Sequence, residues 1–239
     1  MLFRSLLMEA DVIVHDALVP EEVIAMGRRD AERIAAGKRK GCHTRSQEEI
    51  NALLIRLARA GKRVVRLKAG DPLVFGRAGE ELTALRGAGI ACEVVPGVTA
   101  ALAAAADCQL PLTLRGVASS LVLTTGHDLR GATLPDWLEL ARSGATVAIY
   151  MGGSNAASVA THLLAAGLSP DTGVAVVESA SRPESRRFHG TLADLPLLER
   201  LPAIAGPVMT LVGDAVAGGL FQGSTALVDA VAAREPEIA

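Results

Sequence analysis

A chain of 239 residues, half of them hydrophobic and 21% charged, is long enough for one large domain or two small ones with real cores. Its net charge of -2 is not that of a general nucleic-acid binder, which is basic overall, and aromatics at only 3% leave the core to Ala, Val, Leu and Ile. Cys42, Cys92 and Cys108 are odd in number and show no CxxC or Cys/His spacing, which argues against a disulfide framework or a zinc site and fits a reducing cytoplasm. The opening MLFRSLLM carries Arg4 and runs into Glu9 and Asp11, too short and too charged for a secretory leader. No apolar run reaches the roughly 18 residues of a membrane helix. The expectation is a cytoplasmic protein that engages neither membrane nor nucleic acid and needs no metal.

In chain order, VIV at 12–14 reads as a buried strand, with Asp16 just past its carboxyl end. A carboxylate there acts as a general base if it faces a pocket, or simply as a turn residue before Pro20. The stretch 28–45 holds Arg28, Arg29, Arg33, Lys38, Arg39, Lys40 and Arg45 against Asp30 and Glu32, a solvated face or a seat for a carboxylate-rich ligand. Residues 47–60 predict a helix: Ile50, Leu53, Leu54 and Leu57 repeat at three and four, Ser46 and Glu49 form a capping box, and Gly61 stops it. The strand RVVRL (63–67) leads into Lys68-Ala69-Gly70-Asp71-Pro72, then Phe75-Gly76-Arg77 and a helix carrying Glu80 and Glu81. Small residues at a strand's carboxyl end let a ligand approach the backbone, but an ordinary capped turn has the same appearance.

A strand at 90–95 (IACEVV) repeats the design with Pro96-Gly97-Val98-Thr99-Ala100, where Thr99 either bonds a ligand or caps the Ala-rich helix at 100–106. Further strands are predicted at 120–125, 146–151, 173–178 and 207–212. Met151, in Tyr150-Met151-Gly152-Gly153, could pack on an aromatic ring such as adenine or be a core residue before a turn. A second basic cluster holds Arg182, Arg186, Arg187 and His189. Strand–helix alternation argues for an α/β fold with mainly parallel pairing. Pro and Gly at 111–118 suggest a boundary, giving domains at 1–114 and 115–221 and a fraying tail at 222–239.

Taken together, VVRLKAGDPLVFGRAGEE, ADVIVHDALV (10–19), GKRKGCH (37–43), QEEINALL (47–54), VVPGVTAALAAA (94–105), PLTLRGVASS (111–120), TTGH (124–127), IYMGG (149–153) and VAVVESASRPESR (174–186) resemble the uroporphyrinogen-III C-methyltransferases, a branch of the tetrapyrrole methylase family. The likeness runs to about residue 217, and the VFGR after GDP favours this branch. The resemblance implies two α/β domains with a cleft between them, and a cytoplasmic homodimer. It also implies transfer of two methyl groups from S-adenosyl-L-methionine to uroporphyrinogen III, giving precorrin-2 for sirohaem and cobalamin synthesis. By the same resemblance, donor contacts fall on Ala69, Gly70, Asp71, Val74, Thr99, Ala100, Met151 and Ala180, Asp16 is the proton acceptor and Lys38 the proton donor. The alternatives are a non-catalytic or truncated tetrapyrrole- or nucleoside-binding member, or another precorrin methylase.

The sequence departs from the family pattern in places. Relatives begin with a strand and a loop of the form VGAGPGDPxLLT, and MLFRSLLMEAD aligns with the helix after it, so neighbouring strands are expected to show unpaired backbone groups. Ala69 and Ala78 stand where glycine is usual, Ala17 where Arg is, Leu114 where His is, and Ser179-Ala180 where Asn-Gly is.

Overall fold

The computed structural model describes residues 2–37, 45–126, 137–201 and 204–233, and the chain divides into two units, Met1–Thr99 and Ala100–Ala239. The first holds α1 (Leu2–Glu9), β1 (Val12–His15), α2 (Glu21–Ile24), β2 (Glu32–Ala35), α3 (Gln47–Arg59), β3 (Val64–Leu67) and α4 (Ala78–Gly87). Its sheet has the order β2-β1-β3, parallel throughout. β1 is an unbroken apolar run followed by His15 because it is covered on both faces. Ile13 packs with Leu7, Val19, Ile24 and Leu67 on one side, and Val12 and Val14 with Ala36, Ile50, Leu53 and Leu54 on the other. α3 starts at the predicted cap, where Ser46 Oγ accepts from the Glu49 N–H at 3.2 Å and Glu49 accepts from the Ser46 N–H at 2.6 Å. It stops before Gly61, whose φ of 74° suits glycine. β2, sequence ERIA, carries two charges in four residues and shows no alternation that would have announced it.

Residues 90–95 do not form the expected strand. β3 is the last strand of its sheet, and residues 90–95 lie across a cavity from it rather than on its edge, so among the described residues they pair with no strand. β3, residues 90–97 and the α1 side chains Phe3, Leu6 and Leu7 instead line an apolar cavity of about 490 Å³. Val64 and Val65 are only half-buried, while Val94 and Phe3 are exposed, which is the appearance of an open sheet edge.

The second unit holds α5 (Ala100–Asp107), β4 (Leu121–Thr125), α6 (Trp137–Arg142), β5 (Thr146–Tyr150), α7 (Ala156–Ala165), β6 (Gly173–Glu178), β7 (Arg186–Thr191), β8 (Val208–Val212), α8 (Asp214–Ala217), β9 (Thr225–Ala226) and α9 (Leu227–Ala232). The six-stranded order is β4-β5-β8-β6-β7-β9. Only β4–β5 and β7–β9 are parallel; β5–β8, β8–β6 and β6–β7 are antiparallel. The expectation of mainly parallel pairing therefore fails here. For β6–β7 the cause is the short link, which permits a hairpin and no crossover.

The unit boundary falls at Thr99/Ala100 rather than near 111–118. Ala101, Ala104, Ala105 and Cys108 pack on Ala148, Ala175, Val177, Met209 and Leu211 of the second sheet, so α5 belongs to it. Cys108 is wholly buried there, and burial pushes its thiol up to about 11. Residues 225–232 are also structured: β9 pairs with β7 and Leu227 is buried in the main core, so the expected tail does not begin at 222.

Glu178, at the end of β6, closes the second unit. Its carboxylate accepts from the N–H groups of Ala205 and Gly206, each at 2.8 Å, and pairs with Arg186. Burial pushes this carboxyl up, but the Gly206 N–H, Arg186 and the Ala205 N–H outweigh it and hold it below the ordinary glutamate value. A depressed folded-state value means stabilisation that is present above the unfolded value and lost as pH falls through the folded one. The urea midpoint is expected to fall on acidification below the ordinary glutamate range. Glu178→Gln should remove that part of the pH dependence and cost about 1–3 kcal/mol at neutral pH. An unchanged acid limb in Glu178→Gln would contradict this.

Candidate active site

The carboxyl ends of β1 and β3 place Asp16 and Lys68 side by side, since His15 is in register with Leu67 and the Asp16 N–H bonds the Leu67 carbonyl at 3.1 Å. Arg66, in the middle of β3, donates to Asp16 Oδ1 and, through Nε, to Glu81 Oε1 of α4 at 3.1 Å. Lys68 Nζ lies 3.2 Å from the same Glu81 oxygen and 3.6 Å from Asp16 Oδ2. Two carboxylates and two cations thus form a closed ring of alternating charge. Gln47 of α3 adds a bond to Glu81 at 3.3 Å. The side chains of Lys68 and Glu81 are 5% exposed, Arg66 13% and Asp16 28%. Of the predicted residues only Asp16 is in this ring; Lys38 lies outside the described residues. Arg66, Lys68 and Glu81 were not singled out as site residues. The signal was present: two cations two apart in the run VVRLK share one face of the chain, and a buried cation needs a partner.

The second feature is a pair of loops. Asp71 Oδ1 accepts from the Leu73 N–H at 2.8 Å and Asp71 Oδ2 from the Gly97 N–H at 3.0 Å, so one carboxylate ties residues 70–74 to residues 96–97. The loops meet so closely that a Cβ on Gly97 would lie 2.3 Å from the Gly70 carbonyl oxygen. Gly70 itself has φ 73°. Ala69 and Gly70 are exposed, Asp71 and Val74 half-buried, and Thr99 buried behind them. Asp71 is more than the cap of a turn: it braces the exposed loop after β3 against residues 96–97. The chain then passes through left-handed Phe75 (φ 52°) and Arg77 (φ 55°) into α4, and Arg77 chelates Glu80 at 2.7 and 2.8 Å. That bond holds the Glu80 carboxyl below its usual value.

In the second unit, Met151 follows β5 and Ala180 follows β6. Both strands flank β8 and run antiparallel to it, so both residues sit at the same end of the sheet, about 10 Å apart by strand spacing. Non-glycine residues in the left-handed region gather there: Met151 (φ 55°), Ser179 (φ 53°) and Ser181 (φ 63°). Each costs on the order of 1–2 kcal/mol, and strain of this kind collects at binding sites. Ser179 stands where the resembling family carries asparagine, a residue that tolerates this backbone better. Met151 is 46% exposed, so it is not the core methionine of the alternative reading. Ala100 is half-buried at the first turn of α5.

The basic clusters serve local structure where they are described. Arg28 pairs with Asp11 and with Asp30 at 3.4 Å, and Arg33 bonds the carbonyls of Ala31 (2.8 Å) and Arg28 (3.1 Å). Arg182 meets Glu184 at 3.6 Å, Arg186 meets Glu178, and Arg187 bonds the Asp107 carbonyl at 2.8 Å. His189 stacks on Phe221 with centroids 4.8 Å apart. No cluster of His, Cys, Asp and Glu suited to a metal occurs among the described residues, nor is any described helix long and apolar enough to cross a membrane.

Comparison with known proteins gives this geometry a context. A family model described as Tetrapyrrole (Corrin/Porphyrin) Methylases matches residues 3–196. The chain is 50% identical over 212 residues to a siroheme synthase of Gluconacetobacter diazotrophicus, covering 88% of this chain and 45% of that one, so it spans about half the length of that relative. It is 46% identical over 213 residues to a uroporphyrinogen-III C-methyltransferase of Paracoccus denitrificans, covering 89% of this chain and 74% of that one. Among solved structures, the uroporphyrin-III C-methyl transferase of Thermus thermophilus complexed with S-adenyl homocysteine superposes with a TM-score of 0.73 at 38% identity, covering 90% of each chain. A cobalt precorrin-4 methyltransferase superposes with a TM-score of 0.77 at 32% identity, covering 89% of this chain and 87% of that one.

Proposed function

Because the chain belongs to the tetrapyrrole (corrin/porphyrin) methylase family, we propose that it transfers methyl groups from S-adenosyl-L-methionine to ring carbons of uroporphyrinogen III, two per molecule, yielding precorrin-2. The observation that carries this reading is the brace of Asp71 on the Gly70 and Gly97 loops, joined to 46% identity with an enzyme named for that reaction. The loops fit a nucleoside-bearing ligand: Gly97 lets them pack backbone to backbone, and the exposed Ala69 and Gly70 offer polar backbone atoms beside small side chains. By the resemblance, Ala69, Gly70, Asp71, Val74 and Thr99 are the proposed donor contacts of the first unit, and Ala100, Met151 and Ala180 are those proposed for the second.

The donor supplies a methyl group already activated on a sulfonium. The electron-rich α,β-bond of a pyrrole supplies the nucleophile, so a carbon–carbon bond forms as the sulfur–carbon bond breaks and sulfur leaves as a neutral thioether. The protein's own work is to align the three atoms and to take the proton that the cationic ring sheds. Asp16, 28% exposed and held between Arg66 and Lys68, is the acceptor. Lys38 is the proposed donor of a proton.

The test is anaerobic incubation of the purified chain with uroporphyrinogen III and methyl-labelled S-adenosyl-L-methionine. The expected product is precorrin-2, with two labels per tetrapyrrole. The close superposition on a cobalt precorrin-4 methyltransferase supports a second reading, a later corrin-ring methylase, and label appearing only in a cobalt precorrin would establish it.

A further inference from the structure

We propose that Arg66, Lys68 and Glu81 are positioning residues, a closed ring of charges that fixes the carboxylate of Asp16; this rests on the reading of Asp16 as proton acceptor. Arg66 holds Asp16 Oδ1 and Lys68 approaches Oδ2, so the carboxylate is gripped from two sides and cannot swing about its last torsion. Arg66 is itself fixed by bonds to the carbonyls of Val14 (3.3 Å) and Leu67 (3.2 Å), which ties the grip to the backbone of the two paired strands. Exposure is graded around the ring: Lys68 and Glu81 are sealed, Arg66 nearly so, and Asp16 is the member that reaches solvent.

Glu81 has a specific task in this arrangement. It shares both cations with Asp16. Without it, two buried cations would have one carboxylate between them and would close on Asp16, occupying the lone pairs it needs to accept a proton. With it, Arg66 still bonds Oδ1 but Lys68 is drawn to Glu81 at 3.2 Å and stays 3.6 Å from Asp16 Oδ2, which leaves that oxygen able to accept. Stability alone does not account for the ring. The sealed charges of Lys68 and Glu81, with Arg66 nearly sealed beside them, carry a desolvation cost that an apolar cluster of the same volume avoids.

The experiment is steady-state methyl transfer to uroporphyrinogen III by the full chain and its variants, each checked for an unchanged circular-dichroism spectrum. Glu81→Gln is expected to lower kcat by about 10- to 100-fold, the effect of a slightly misplaced group, with KM for uroporphyrinogen III unchanged. Arg66→Lys, which keeps a cation on Asp16, should retain most of kcat, whereas Arg66→Met should fall as Glu81→Gln does. In an Asp16→Asn background, Glu81→Gln should cost nothing further, because it acts through Asp16. The same fold-loss in both backgrounds, or a change confined to KM, overturns the positioning role alone. Full kcat in Asp16→Asn overturns the proton-acceptor reading and the positioning role with it. Absence of transfer by the parent chain overturns the methyltransferase reading.

Discussion

Gly97→Ala is expected to weaken binding of S-adenosylhomocysteine by roughly 100-fold, the scale of a misplacement of about 1 Å, measured by titration calorimetry. The added Cβ would sit 2.3 Å from the Gly70 carbonyl oxygen and 3.1 Å from its carbon. Both are backbone atoms, so no side chain can swing aside. Asp71 pins the same two loops through the N–H groups of Leu73 and Gly97, so the separation cannot open without breaking one of those bonds. The displaced backbone is the surface on which the donor is proposed to lie. Asp71→Asn should give a smaller loss: its amide keeps one acceptor oxygen but turns a second donor toward an N–H. Both substitutions lie in the first unit, and the unfolding of the second should be unchanged. Parental affinity in Gly97→Ala would show that these loops do not carry the donor.

How much of this could be read from the sequence depends on whether the deciding contacts were local. α3 was legible to its cap because Ser46, Glu49 and Gly61 act within a turn of the helix. β1 was legible because a central strand must be apolar on both faces. The antiparallel β6–β7 pair was not, since RRFHGT carries two charges and a histidine and takes its order from pairing with Val174–Glu178. The family loops were found as strings. Their brace was not, because the bond from Gly97 to Asp71 spans 26 residues. The Asp16 ring is the sharper case. Asp16 was singled out by its place at a strand end, but what holds it arrives from β3 and α4, up to 65 positions away, and no local pattern registers that. Residues 90–95 had every mark of a strand in composition and lacked only a neighbour.

The open edge of β3 is the basis of the largest expected gain. Five β-branched residues followed by the glycine-rich loop VGAGPGD, joined ahead of Leu2, are expected to pair with β3 and to slow amide exchange at residues 64–67 and 91–95 by roughly 30- to 700-fold. Among the described residues β3 presents an unpaired edge, and Ile90, Val94 and Val95 line the facing wall. α1 contributes Phe3, Leu6 and Leu7 to the same cavity, so a strand there would lead into α1 and on to β1, the strand–helix–strand crossover of a parallel sheet. Covering half-exposed Val64, Val65, Val95 and Ile90 at about 0.5–1 kcal/mol each gives on the order of 2–4 kcal/mol. At about 1.4 kcal/mol per tenfold, that is the predicted change in exchange. An extension with proline at two strand positions supplies the same apolar surface without the ladder donors, and should protect neither segment. Protection by both versions would mean that the groove gathers apolar chain without building a strand. Protection by the first alone would complete the sheet at the carboxyl edge where Gly70, Asp71 and Gly97 meet, and donor affinity should rise with it.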